Sequence, residues 1–215
     1  MDTEKSHKLK NKKVLITAGP TWVPIDNVRV ISNIATGETG ILLAEKLQKL
    51  GAKVTLLLGP VSSCCLSRNI KLIRFKFFGD LKEKVKQELR SRKYDIIIHS
   101  AAVSDFRPRL LAKGKIESEK IYNLKLSPVP KIISDIKRLA PQVKLMMFKL
   151  ESGINDKILI KRTKQALINY QADMAVGNTI HPKYKAFILD RNKVYYKVHS
   201  KKELIHRIVS LLENY

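Results

Sequence analysis

The stretch ITAGPTWVPIDNVRVISNIATGETG, residues 16–40, begins as the end of a buried strand and finishes as a glycine-spaced turn leading into a helix. That is the layout of a nucleotide site at the first turn of a βαβ unit. A dinucleotide loop, however, needs G-x-G-x-x-G directly after the strand and an acidic residue about 20 positions on for the ribose. Here the first turn reads Gly19-Pro20-Thr21, and the next apolar strand ends in LLLGPV, residues 56–61, with no Asp or Glu. A nicotinamide-dependent dehydrogenase is therefore disfavoured. The spaced glycines lie further on. Gly37 and Gly40 bracket the expected start of a helix over residues 40–50, where unpaired backbone N–H groups would form an anion site.

Outward from this stretch, apolar runs rich in β-branched residues recur at 13–18, 53–58, 70–75, 94–100, 143–148 and 173–177. Few polar residues interrupt them, which suits strands covered on both faces. Amphipathic segments at 40–50, 80–92, 130–139 and 156–170 alternate with these runs, each able to cross over the sheet as a helix. The expectation is an α/β fold, Rossmann-like and doubly wound, with a mainly parallel sheet. Near the end, AFILDRNKVYYKV, residues 186–198, reads as a C-terminal β-hairpin turning at DRN. Ser200, followed three residues later by Glu203 and then by Leu204, Ile208, Leu211 and Leu212, marks a capped last helix.

At 215 residues and 44% hydrophobic, the chain suffices for one α/β domain, expected over residues 12–215 behind a basic tail, 1–11. No run approaches the roughly 18 apolar residues of a membrane span, and MDTEKSHKLKNKK is too polar for the core of a signal peptide. A cytoplasmic protein is expected. Cys64 and Cys65 are adjacent, without a histidine at ligand spacing, and suggest neither a disulfide framework nor a zinc site. The net charge of +23 invites a nucleic-acid reading. Yet the lysines spread along solvated helix faces such as DLKEKVKQELRSRK, with no zinc-finger spacing, RNP-like aromatic strand or arginine-rich tail. General lysine enrichment is favoured, adaptation to small anionic substrates comes second, and nucleic acid last.

Doubly wound sheets bind ligands outside the carboxyl ends of their strands, where the strand order reverses. The residues there should be Gly19 after the first strand, SAAVSDF (100–106) after the fourth, Phe148 after the fifth and Gly177-Asn178 after the sixth. Small Ser100, Ala101 and Ala102 would let a ligand approach the backbone, and Asp105 supplies an acceptor; singly, each also reads as packing or turn capping. RPRLLAKGKIESEKIYNLKLS, residues 107–127, has turn-forming Pro and Gly and weak periodicity, a long excursion from the fourth strand that carries Lys113, Lys115 and Lys120. Such excursions serve as lids or binding loops, or are simply solvated.

ITAGPTWVPIDNVRVISNIATGETG, AAVSDFRP, the following KI, and ADMAVGN resemble, in order and spacing, the signatures of the phosphopantothenate–cysteine ligase family, from about Lys12 to the C-terminus. The resemblance implies a ligase of coenzyme A biosynthesis, expected in stand-alone form with no flavin, since no stretch here resembles the flavin-dependent decarboxylase domain fused to many bacterial members. Such enzymes join 4′-phosphopantothenate to the amine of cysteine, with CTP or ATP as co-substrate and Mg²⁺. The carboxylate attacks the α-phosphate to give an acyl-nucleotidylate and pyrophosphate; the amine then displaces the nucleoside monophosphate. Catalysis would rest on positioning and on cationic stabilisation of the phosphoryl oxygens. A homodimer is also implied, the flap (107–127) of one subunit reaching toward the site of the other.

The resemblance assigns Asn33 to orienting the pantothenate carboxylate and the acyl intermediate, and Lys115, ten positions after Asp105, to the nucleotide phosphates. These two would be the catalytic residues. Nucleotide contacts fall to Ser100, Ala101, Asp105, Phe148 and the run Pro130, Lys131, Ile132 and Ile133, with Gly37 and Gly40 as the phosphate turn. Asn178 joins Asn33 at the substrate, and no metal ligand is assigned. The pattern departs in places. Ala166 and Tyr170 stand where bacterial members carry nucleotide-contacting lysines, with Lys161 and Lys164 earlier in the chain. Glu117 and Ser118 follow KI in place of lysines, and Lys149 and Leu150 replace two alanines. These departures leave CTP against ATP open. They also keep an alternative: a diverged or non-catalytic Rossmann-like protein that binds nucleotide, or nucleic acid, without ligase turnover.

Overall fold

The computed structural model describes residues 8–62, 66–110 and 114–214; Cys64, Cys65, Lys113 and the first seven residues of the expected tail lie outside the described residues. The chain begins with strand β1 (Lys13–Ala18), a short hairpin of β2 (Trp22–Pro24) and β3 (Val30–Ser32), and helix α1 (Glu38–Lys49). Strands β4 (Lys53–Leu58) and β5 (Lys71–Arg74) precede helix α2 (Phe78–Ser91). β6 (Ile96–His99) leads into a second short hairpin of β7 (Phe106–Pro108) and β8 (Leu126–Pro128), then α3 (Ile132–Leu139), β9 (Lys144–Leu150) and α4 (Asp156–Asn169). β10 (Met174–Thr179), β11 (Lys185–Leu189), β12 (Val194–Val198) and α5 (Lys201–Glu213) complete the order.

Eight of these strands form one sheet in the order β12-β11-β10-β9-β6-β1-β4-β5. The six strands from β5 to β10 pair in parallel, and β11 and β12 add antiparallel at one edge. The chain builds outward from β1 to β4 and β5, then returns to lay β6 on the other side of β1. The order therefore reverses between β1 and β6, which makes the carboxyl ends of these two strands the switch point of a doubly wound fold. Alternation along β1 explains its double burial. Val14, Ile16 and Ala18 join Leu43 and Leu47 of α1 and Leu204 and Ile208 of α5 on one face. Leu15 meets the opposite layer, which holds Leu81 of α2, Ile136 of α3 and Leu159 of α4. With both faces covered, the strand is an unbroken apolar run.

The expected fold class holds, with differences at element ends. The C-terminal hairpin turns at Asp190, whose carboxylate accepts the N–H groups of Asn192 at 2.7 Å and Lys193 at 2.9 Å, an Asx turn. At α5, Ser200 accepts the Glu203 N–H at 3.1 Å, but Glu203 reaches back to the His199 N–H at 3.3 Å, one residue before the cap. α1 starts at Glu38 rather than at Gly40, and α3 at Ile132 rather than at Pro130. The two short hairpins were not expected, because three-residue strands containing Pro24, Pro108 and Pro128 carry no readable alternation. The β7–β8 pair closes the base of the long excursion, placing Arg107 opposite Ser127.

Candidate active site

At the switch point Thr17 lies opposite His99. Ser100 donates to the Thr17 carbonyl twice, through its N–H at 3.0 Å and its Oγ at 2.8 Å. Thr17 Oγ1 accepts the Ala101 N–H at 3.3 Å and shares a hydrogen bond with His99 Nδ1, 2.8 Å away. Burial pushes the imidazole down to about 4, so His99 is neutral near pH 7. Past the strand ends the pairing continues: the Ala102 N–H donates to the Gly19 carbonyl at 2.9 Å, and the Thr21 N–H to the Ala102 carbonyl at 3.3 Å. Asn33, just beyond β3, donates its side-chain N–H to that same Ala102 carbonyl at 3.0 Å.

Gly37 caps α1 with φ of 71°, in the left-handed region that favours glycine. A Cβ there would lie 3.2 Å from the Gly19 nitrogen, so the two glycine turns of residues 16–40 abut. Gly40 sits inside the first helical turn, where a Cβ would fall 2.4 Å from Ala18 Cβ and 3.0 Å from Ser100 Oγ. Its bare backbone lets α1 press against the β1–β6 seam. The first-turn N–H groups of α1 thus lie beside the switch point, a place suited to a phosphate. Glu38 in that turn carries the opposite charge, but its carboxylate is paired with Lys201 of α5.

Further along the rim, exposed Asp105 pairs with Lys131, and its carbonyl accepts the Val129 N–H at 2.9 Å. These contacts fasten the residue just before β7 to the segment before α3. Pro130 and Lys131 are exposed, whereas Ile132 and Ile133 are buried in the core and can offer a ligand only their backbone. Half-buried Phe148 and Asn178 stand near the carboxyl ends of β9 and β10, Asn178 opposite Leu150. Ala166 is buried, and half-buried Tyr170 ends α4 on the side where β10 begins. A groove of about 700 Å³, lined by Trp22, Phe77, Ser104, Phe106 and Val129, opens between the two short hairpins and the start of α2. A larger cleft of about 1100 Å³ lies at the opposite, amino edge, among Lys12, Arg90, Lys93 and Lys144. Doubly wound sheets do not use that edge, so the smaller groove is the one beside the rim.

The model of the DNA/pantothenate metabolism flavoprotein C-terminal domain family matches residues 9–209. The chain belongs to this family. The coenzyme A biosynthesis bifunctional protein CoaBC of Thermococcus kodakarensis is 37% identical over 186 residues, which are 86% of this chain and 45% of that protein. The chain thus spans about half the length of the curated relatives it matches. The crystal structure of the DNA/pantothenate metabolism flavoprotein from Streptococcus pneumoniae superposes with a TM-score of 0.85 at 25% identity, covering 95% of this chain and 99% of that one. A Cab2 variant in complex with phosphopantothenate-cysteine shares the fold at 22% identity and a TM-score of 0.77, covering 95% of this chain and 87% of that one.

Within this flavoprotein C-terminal domain, the structure brings Asn33, Gly37, Gly40, Ser100 and Ala101 together at the switch point and ties Asp105 to Lys131. It leaves Lys115 exposed, next to an anchored residue. That anchor escaped the sequence reading. Buried Asp26 accepts the N–H groups of Val28 and Arg29, each at 2.7 Å, the Arg29 guanidinium at 2.7 Å and the Ile116 N–H at 3.1 Å. Burial works against ionisation, but the backbone N–H groups of Ile116, Val28 and Arg29 and the Arg29 guanidinium outweigh it, holding the Asp26 carboxyl well below the usual carboxylate range. The local signal was there: an Asp two and three positions before free N–H groups is an Asx turn. His99 and Thr17 were also missed, although each is a polar residue at the end of an apolar run.

Proposed function

We propose that the chain is a phosphopantothenate–cysteine ligase, joining 4′-phosphopantothenate to the amine of cysteine through an acyl-nucleotidylate. The observation that carries this reading is the meeting of Asn33 with the Ala102 carbonyl beside the glycine-capped start of α1. An amide donor and a cluster of helix N–H groups side by side suit a carboxylate brought to a triphosphate. Asn33 would orient the carboxylate without neutralising it. A carboxylate oxygen attacks the α-phosphorus and pyrophosphate leaves; the amine then attacks the acyl carbon and the nucleoside monophosphate departs with that oxygen. Asp105, Lys131, the backbone before α3, and Phe148 would hold the nucleotide, Lys115 the phosphates, and Asn178 the substrate. Among the described residues no group of three His, Cys, Asp or Glu side chains could cage a metal. In this reading Mg²⁺ would arrive on the triphosphate with its own waters and neutralise phosphate charge.

The family membership, the CoaBC relatives and the fold shared with the Cab2 complex all support this reading. A homodimer in a cytoplasmic setting goes with it. No helix among the described residues is long and apolar enough to cross a membrane. Val28, Phe106, Leu110 and Ile121 on the two short hairpins and the flap, and Ile34 in the segment between β3 and α1, are exposed apolar side chains that a second copy would cover. The test is incubation with phosphopantothenate, cysteine, Mg²⁺ and either CTP or ATP, with product and pyrophosphate followed by mass. Product with one nucleotide well above the other is expected; nucleotide binding with no product from either overturns the ligase reading.

A further inference from the structure

Ile116 is separated from Asp26 by 90 positions, yet both of its backbone polar groups end on one turn of the β2–β3 hairpin. Its N–H donates to Asp26 Oδ2 at 3.1 Å, and its carbonyl accepts from Arg29 Nη1 at 3.0 Å. Arg29 Nη1 also holds the same Asp26 oxygen at 2.7 Å. The remaining Asp26 oxygen is occupied by its own turn, so the carboxylate has no freedom to rotate. The pair thus does with side chains what a neighbouring strand would do with backbone, and it does so with charge-assisted bonds. Around Ile116 the flap is tied mostly to itself: the Glu117 N–H reaches the Tyr122 hydroxyl at 3.2 Å, and Lys120 pairs with Glu117 at 2.6 Å.

We infer that Asp26 and Arg29 are positioning residues, a latch that fixes the flap at Ile116 and thereby holds the adjacent Lys115 in its working place. The same hairpin ends at β3, directly before Asn33. One rigid turn therefore sets two things at once: the amide at the switch point and the anchor of the flap. A carboxylate this strongly bonded stays ionised through the neutral range, so the latch does not open with ordinary changes of pH. The part given to Lys115 rests on the ligase reading; the latch itself does not.

Amide hydrogen exchange on the unliganded chain tests the latch without any turnover. In Asp26→Asn the new amide presents either an N–H to the Ile116 N–H or an oxygen that has lost its charge. Residues 114–122 are expected to exchange about tenfold faster, while β1 and β6 keep their wild-type protection. Ile116→Pro, which removes the donated hydrogen and leaves the hairpin intact, should do the same, so a misfolded Asp26→Asn does not end the test. In the ligase assay Asp26→Asn should lower kcat about tenfold or more while KM for cysteine stays within about twofold. In a Lys115→Ala background, Asp26→Asn should change kcat by less than about twofold, because the two residues act through one interaction. Unchanged flap exchange in both variants overturns the latch, and so does an equal loss of kcat with and without Lys115. Wild-type protein that makes no product would defeat the ligase reading alone, since exchange still reports on the latch.

Discussion

The neutral imidazole of His99 ties stability to pH. Its folded value is about 4 against 6.5 when free, so between these values the unfolded chain binds more protons and stability falls as the pH falls. The slope reaches at most about 1.4 kcal/mol per pH unit. His99→Asn, which keeps a partner for Thr17, should flatten the urea midpoint between these two pH values. A profile unchanged by the substitution would mean that His99 titrates normally. Asp26 acts in a separate window: its lowered carboxyl contributes stability above about pH 4 that is lost as the pH falls below it. At Gly40 the constraint is steric. Gly40→Ala must push a Cβ into Ala18, lifting α1 from the seam, and should cost about 1–3 kcal/mol in chemical denaturation. A change within about 0.5 kcal/mol would show that the helix has slack there.

Among elements, legibility followed burial. β1 and β4 carry five buried residues each behind an exposed lysine, and their expected limits coincide with the observed ones. The C-terminal hairpin and the α5 cap were equally readable, since Asp190 and Ser200 act on N–H groups two or three positions away. Contacts of that range leave a mark in the sequence. β2–β3 and β7–β8 left none: their strands are three residues long, three of the four contain a proline, and they are held by distant partners such as Phe77, bridged to Trp22. The site divides the same way. Asn33, Gly37, Ser100 and Asp105 lie in dense motifs that make them candidates from sequence, whereas nothing local links Asp26 to Ile116. Gly40, a candidate for the phosphate turn, is also a point of close helix–sheet approach.

For the whole molecule, positive charge is distributed along the chain rather than concentrated at the rim; some lysines meet acids, as in Lys71–Glu88 and Lys137–Asp173, but 42 basic residues against 19 acidic ones leave a net +23. It speaks for general attraction of anions more than for one macromolecular partner. In the proposed dimer a second copy would cover the apolar side chains exposed on the hairpins and flap. Val28→Asp combined with Ile121→Asp is expected to turn a dimer into a monomer in sedimentation velocity, with melting of the monomer little changed; a monomeric wild-type chain would contradict the dimer. The central claim is that a carboxylate and a nucleoside triphosphate react at the switch point to form an acyl-nucleotidylate. The most direct measurement uses phosphopantothenate labelled with ¹⁸O in its carboxylate and mass analysis of the released nucleotide. One labelled oxygen should appear in the nucleoside monophosphate; label in inorganic phosphate, or monophosphate free of label, would contradict it.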